Sequence, residues 1–136
     1  MKPCSSATPC PCGRSQPSGQ ALSYGACCGQ WLETDRAAPD AQSLMRSRYC
    51  AFVLERAAYL RATWSAAHRP VELEFEPGVK WLGLDVRRVQ QLDSEHAEVE
   101  FVARQKPARG AAVRLHERSR FLREAGRWFY VDGDAL

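Results

Sequence analysis

Four cysteines near the start of the chain are the residues whose type and spacing most readily do chemistry. Cys10-Pro-Cys12 is followed, after fourteen intervening residues, by the adjacent pair Cys27-Cys28. Zinc suits such an arrangement, because it is borderline soft, prefers thiolates and accepts four of them tetrahedrally. Gly13, Gly25 and Gly29 flank the pairs and let the backbone turn where β-carbons would crowd an ion. Pro9 and Pro11 stiffen the first pair and so lower the cost of ordering it. The spacing is not the familiar CxxC knuckle. A vicinal disulfide at Cys27-Cys28, or thiol exchange at the CxC pair, is the competing chemistry. The reading adopted is one structural zinc ion per chain on Cys10, Cys12, Cys27 and Cys28. A closed set of four sulfurs has no open position for catalysis at the metal. Cys4, near the terminus and without a neighbouring partner, is left out, and Cys50 reads as a small buried hydrophobe in a helix.

A second candidate lies far along the chain. Glu117 shares a strand face with Val113, Leu115, Ser119 and Phe121 and should therefore point into an apolar interior. A carboxylate there is raised in pKa unless a cation meets it, and it suits a general base or a ligand anchor. Arg46 and Arg48 are available as partners, and a structural Glu–Arg pair is the plainer reading. Tyr49, Trp64, Trp81 and Trp128 either line a pocket with Glu117 or fill the core. His68 and His96 fall in loops and His116 on a wet strand face, all three read as surface histidines without partners. The chain has no Gly-rich phosphate loop, nucleophile elbow or paired-carboxylate motif, so no catalytic residue is assigned.

Composition narrows the partners. The formal charge is +3, and 16 of the 19 basic residues are arginine, but they are dispersed among 16 acids. A Zn(Cys)4 centre adds a further net negative charge, so nucleic-acid binding through the arginines is the weaker alternative. No apolar run is long enough to cross a bilayer, and Met1 to Thr8 lacks the apolar stretch of an export signal. A reducing cytoplasmic setting follows, in which five cysteines within the first 28 residues point to metal in preference to disulfides.

Two regions must position these residues. Residues 1–32 are rich in Pro, Gly, Ser and Cys, cannot build a core, and are expected to be disordered without metal. Trp31 to Pro39 reads as a connector. In residues 33–136, Pro39-Asp40 starts a helix running to about Glu55, with Leu44, Met45, Tyr49, Phe52 and Val53 as its apolar stripe. A short helix over Arg56 to Trp64 turns Ala58, Leu60 and Trp64 inward. The period then changes to two. Lys80–Leu92 (Leu82, Leu84 and Val86 inward), Ala97–Arg104, Ala112–Arg123 and Arg127–Asp132 read as antiparallel strands. Asp93-Ser94-Glu95 and Ala125-Gly126 supply turns. Helices followed by a meander define an α+β fold, with helices packed on one side of a curved sheet.

Cys-Pro-Cys-Gly with Tyr24 and Cys-Cys-Gly resembles the SEC-C motif, a small zinc-binding element. Leu44-Met45-Arg46-Ser47-Arg48-Tyr49, Ala62-Thr63-Trp64, Trp81-Leu82-Gly83-Leu84, His116-Glu117-Arg118-Ser119-Arg120-Phe121 and Trp128-Phe129-Tyr130-Val131-Asp132-Gly133 resemble the YchJ-like bacterial family. The resemblance implies a nuclear transport factor 2-like cone behind the zinc element, and it implies the same four ligands. It further implies an adaptor module with a protein partner. The alternative it leaves is an enzyme or small-molecule binder using the cone pocket, with Glu117 as base or anchor. Two departures stand out. The SEC-C pattern has roughly eight residues between its pairs, and the longer loop here costs only about half a kcal/mol in closure entropy. The family often carries a second such motif at its C-terminus, and no cysteine follows Cys50, so functions needing two metal modules are not expected.

Overall fold

Asp40 starts the main helix as the sequence predicts: its Oδ1 accepts the Ser43 backbone N–H at 2.7 Å, capping a free donor of the first turn. The computed structural model describes residues 1–136 and holds three helices, α1 (Gly29–Leu32), α2 (Ala41–Val53) and α3 (Ala57–Ala62). Helix α2 ends at Leu54, and Glu55 takes the left-handed conformation at φ 56°. The Arg56 N–H then reaches back to Ala51 O at 2.8 Å and the Glu55 N–H to Phe52 O at 3.3 Å. That is a Schellman closure built on a residue with a β-carbon.

Helix α3 follows at once and buries Leu60, while Ala58, predicted inward, is exposed. With only six residues the helix has room for one inward anchor, and the face bearing Ala58 turns to solvent. Residues 31–39 are also more ordered than a plain connector, since α1 opens that segment.

Four strands form one antiparallel meander in the order β1 (Lys80–Gln91), β2 (His96–Lys106), β3 (Val113–Glu124), β4 (Arg127–Ala135). Ala125 and Gly126, both at positive φ, make the tight β3–β4 turn. Bulges bend the sheet into a half-cone. At the first, Trp81 pairs with Gln105 and Gly83 with Arg104, leaving Leu82 as the extra residue. Strict alternation predicts Leu82 inward; the bulge shifts the phase, so Leu82 is 49% exposed and Trp81 takes the inner position. Gly83 permits this with φ 145°. A further bulge lies opposite Arg120–Phe121 on β4.

The concave face of the sheet receives α2. Leu44, Val99 and Phe121 are sealed inside, and Cys10, Cys12, Tyr24, Cys27 and Cys28 belong to the same core cluster. The N-terminal segment is therefore seated on α2. It is shaped by the short pairings Pro9–Ser23 and Ser15–Ala21 and a single 3-10 turn at Tyr24–Ala26. Its first residues are tied down as well, through Lys2 N–H to Leu54 O at 2.8 Å. No helix is long and apolar enough to cross a membrane.

Candidate metal centre

The turn at Cys10-Pro11-Cys12 is closed by the Gly13 N–H donating to Cys10 O at 3.0 Å, with Gly13 at φ 76°. The facing wall is the 3-10 turn, whose Tyr24 ring is buried and whose hydroxyl donates to Glu33 Oε2 at 2.8 Å. Arg56 pairs with the same Glu33 at 3.0 Å, so the ring is anchored to the body. A β-carbon on Gly29 would stand 2.7 Å from Tyr24 O, which explains a glycine after the cysteine pair.

Five sulfurs converge between these turns and α2. The Sγ atoms of Cys10, Cys12, Cys28 and Cys50 all lie within 4.8 Å of one another. Cys27 Sγ adds contacts of 3.6 Å to Cys12 and 4.0 Å to Cys28, while Cys10 and Cys50 are 3.6 Å apart. Tetrahedral zinc with Zn–S bonds near 2.3 Å separates its sulfurs by roughly 3.8 Å, so these distances fit such an ion. All six cysteines are thiols, and the set contains no histidine or carboxylate. Sequence reasoning took Cys50 for a plain hydrophobe. Its place on α2, 22 residues beyond Cys28, gave no local spacing signal. Cys4 stands apart, its sulfur 3.5 Å from Thr8 Oγ1.

The cluster favours loss of a proton. The Cys12 thiol is held well below the ordinary range by its hydrogen bond with Cys10, then by those with Cys27, Cys28 and Cys50. The thiols of Cys27, Cys28 and Cys50 are pushed up, chiefly by their bonds with Cys10. Cys10 is lowered as well, to about 4: its bond with Cys12 raises it, but those with Cys27, Cys28 and Cys50 together lower it more. Thiolate character thus gathers on the CxC pair, and a metal would displace the remaining protons. Arg46 completes the surroundings: its Nη1 donates to Cys12 O at 3.1 Å and lies 3.8 Å from Cys12 Sγ. This cation would offset the surplus negative charge of a thiolate-rich metal site.

Arg46 thus does not meet Glu117, as sequence reasoning had it do. The other residues of that constellation do come together. Arg48, Tyr49, Trp64, Trp81 and Glu117 line a cavity of about 360 Å³ inside the cone, whereas Trp128 packs in the core. Arg48 does not pair with Glu117 either. Its Nη1 donates to Leu60 O and Thr63 Oγ1, both at 2.7 Å, and its guanidinium lies over the Trp64 and Tyr130 rings at 5.0 and 4.6 Å. Burial raises the Glu117 carboxyl above its usual value and pushes the Tyr49 phenol up to about 12. Two of the histidines have partners that the sequence did not reveal: His116 Nε2 meets Glu100 Oε2 at 2.8 Å, and His96 Nδ1 meets Asp93 Oδ1 at 2.9 Å. Register explains the first, since Val102 faces His116 and Glu100 faces Arg118 on adjacent positions of β2 and β3.

A half-cone of four strands closed by α2, with a sulfur-only cluster at its N-terminal side, defines a nuclear transport factor 2-like protein with a cysteine cluster that could hold a metal ion. Residues 40–133 match the family model described as YchJ, middle NTF2-like domain. The chain belongs to this YchJ-like family. It is 65% identical over 127 residues to a UPF0225 protein of a Polaromonas species, covering 92% of this chain and 91% of the relative. A second UPF0225 protein, from Polaromonas naphthalenivorans, is 62% identical over 133 residues, covering 93% and 97%. Two solved structures are similar at 30% identity. The solution structure of a SEC-C motif containing protein from Rhodopseudomonas palustris gives a TM-score of 0.79 over 95% of this chain and 99% of that one. The crystal structure of a SEC-C motif containing protein from Psychrobacter arcticus gives 0.76 over 93% and 82%.

Proposed function

We propose that the cluster holds one structural zinc ion, and that the protein is a cytoplasmic adaptor whose zinc element faces a protein partner. The observation that carries this reading is the donor set: buried sulfurs only, at separations that suit a tetrahedral ion. Such a set favours zinc over the hard cations, which take oxygen ligands. It also leaves no open position for water or substrate, which supports a structural role over catalysis at the metal. Support for a protein partner comes from the rim of the element, where Arg36 stacks on Trp31 at 5.1 Å. Tryptophan and arginine are the side chains that concentrate binding energy at interfaces. The likeness to SEC-C motif containing proteins adds an argument by analogy.

Metal analysis of freshly purified protein is expected to give one zinc per chain, absent from a Cys27→Ser/Cys28→Ser double variant. Retention of the metal in that variant would remove the zinc reading. For the adaptor role, affinity capture should recover a specific protein in near-stoichiometric amount with the wild type and much less with Trp31→Ala. Equal recovery by both, or none by either, would sink it.

A further inference from the structure

Helix α2 carries two stripes. Ser43, Arg46 and Cys50 face the sulfur cluster, and Met45, Arg48, Tyr49 and Phe52 face the cavity. The cavity of about 360 Å³ is walled mainly by aromatic rings, with Tyr49 edge-on to Trp81 at 5.6 Å and Trp64 edge-on to Tyr130 at 5.2 Å. That is the size and lining of small-ligand pockets. Its polar groups decide what would enter.

Glu117 is half-buried on β3, opposite Phe101, and its carboxylate has neither a cation nor a hydrogen-bond donor; burial alone sets its titration. Arg48 is the one cation in the cavity wall and is already engaged through Nη1. Nη1 is committed to Leu60 O and Thr63 Oγ1, and the guanidinium plane rests on two rings. Through Nη1 and its two ring contacts it braces the aromatic wall and is not paired with Glu117. A carboxylate or phosphate group placed at Glu117 would meet a like charge; Trp64 Nε1, buried and without a partner, is a donor the wall leaves open, and its ring lies against Arg48. A wholly apolar ligand would bury Glu117 further and leave it unpaired, which is costly. A ligand that brings an ammonium to Glu117 forms a charge-assisted hydrogen bond and satisfies the one carboxylate in the wall.

We infer that the cone pocket is a binding site for a small aromatic amine, its ring held among Tyr49, Trp81 and Phe101 and its ammonium on the Glu117 carboxylate. The site goes beyond the adaptor role and does not depend on it, since the metal and the pocket use different stripes of α2.

Three probes of one shape test it: naphthylmethylamine, naphthylmethanol and naphthoate. Calorimetry on the zinc-loaded full chain gives affinities, and the indole N–H resonances of Trp64 and Trp81 report entry into the pocket. The amine should bind about tenfold or more tighter than either the alcohol or naphthoate, as an ionic hydrogen bond requires. Glu117→Gln should bring the amine down to the affinity of the alcohol and leave the alcohol unchanged. Equal binding of amine and alcohol, preference for naphthoate, or indole signals unmoved by all three would each overturn the proposal. The wild-type probe series decides it even if the variant folds poorly.

Discussion

Five thiols for the four positions of the proposed zinc ion make the cluster redundant in a specific way. Cys10, Cys12 and Cys28 belong to either tetrahedron, and Cys27 and Cys50 each stand 3.6 Å from one of those three. Cys27→Ser and Cys50→Ser are therefore each expected to retain one zinc, and the double variant to lose it, as metal analysis and cobalt-substituted absorption spectra would show. Loss of zinc in Cys27→Ser alone would restore the exclusive set inferred from the two cysteine pairs. Arg46→Met should weaken zinc on the order of tenfold in chelator competition, because it removes a charge partner of the thiolates. Glu117 yields a pH prediction whose sign follows from its direction of shift. Its folded-state pKa is raised by burial, so between the unfolded and folded values, and only there, the native chain holds a proton that the unfolded chain has released. Its contribution is complete below the ordinary carboxyl range and is lost as pH rises through the raised value. Glu117→Gln should thus gain stability on the wild type as denaturant titrations move from about pH 4 to about pH 7. The sequence placed Glu117 correctly by strand alternation but gave it Arg46 and Arg48 together. Two helical residues two apart lie about 200° round the axis, so one had to face elsewhere.

At the scale of elements, what was readable depended on whether a local rule operated undisturbed. Asp40 capping and the Leu44, Met45, Tyr49 stripe fixed α2 to within two residues of its observed end. The β3 alternation held from Leu115 to Phe121, whereas Val113, at the start of the strand beyond the cover of α2, is 43% exposed; β4 ran three residues further than its aromatic core suggested. The inner face of β1 was misread at Leu82, because a bulge is a relation between two strands and leaves only Gly83 as a trace in one of them. Two substitutions test the local accounts. Glu55→Gly should raise stability by about 0.5–1 kcal/mol, since glycine accepts the left-handed C′ position at lower cost and the exposed Lys2 pair it removes is weak. Gly29→Ala should lower it by roughly 1–3 kcal/mol, because the new methyl would press on the Tyr24 carbonyl and ring. Thermal or denaturant unfolding measures both.

For the molecule as a whole, α+β class and strand order followed from helices preceding a meander, whereas the seating of the N-terminal segment did not. Nothing in a Pro-, Gly- and Cys-rich stretch reveals that its sulfurs share a core with Leu44, Met45 and Cys50. Chelation should therefore reach beyond the first thirty residues. The sheet is expected to persist by circular dichroism, while the melting temperature falls on the order of 10 °C as α2 loses its cover. An unchanged melting curve after complete zinc removal would contradict that.

Helix α2 is a beam loaded along two of its sides. Whatever stills it at the sulfurs narrows its wandering at the rings, and the reverse holds to the same degree. Thermodynamic reciprocity makes the two effects equal, so any tightening of the ion by a guest in the cone must appear, kilocalorie for kilocalorie, as tightening of the guest by the ion.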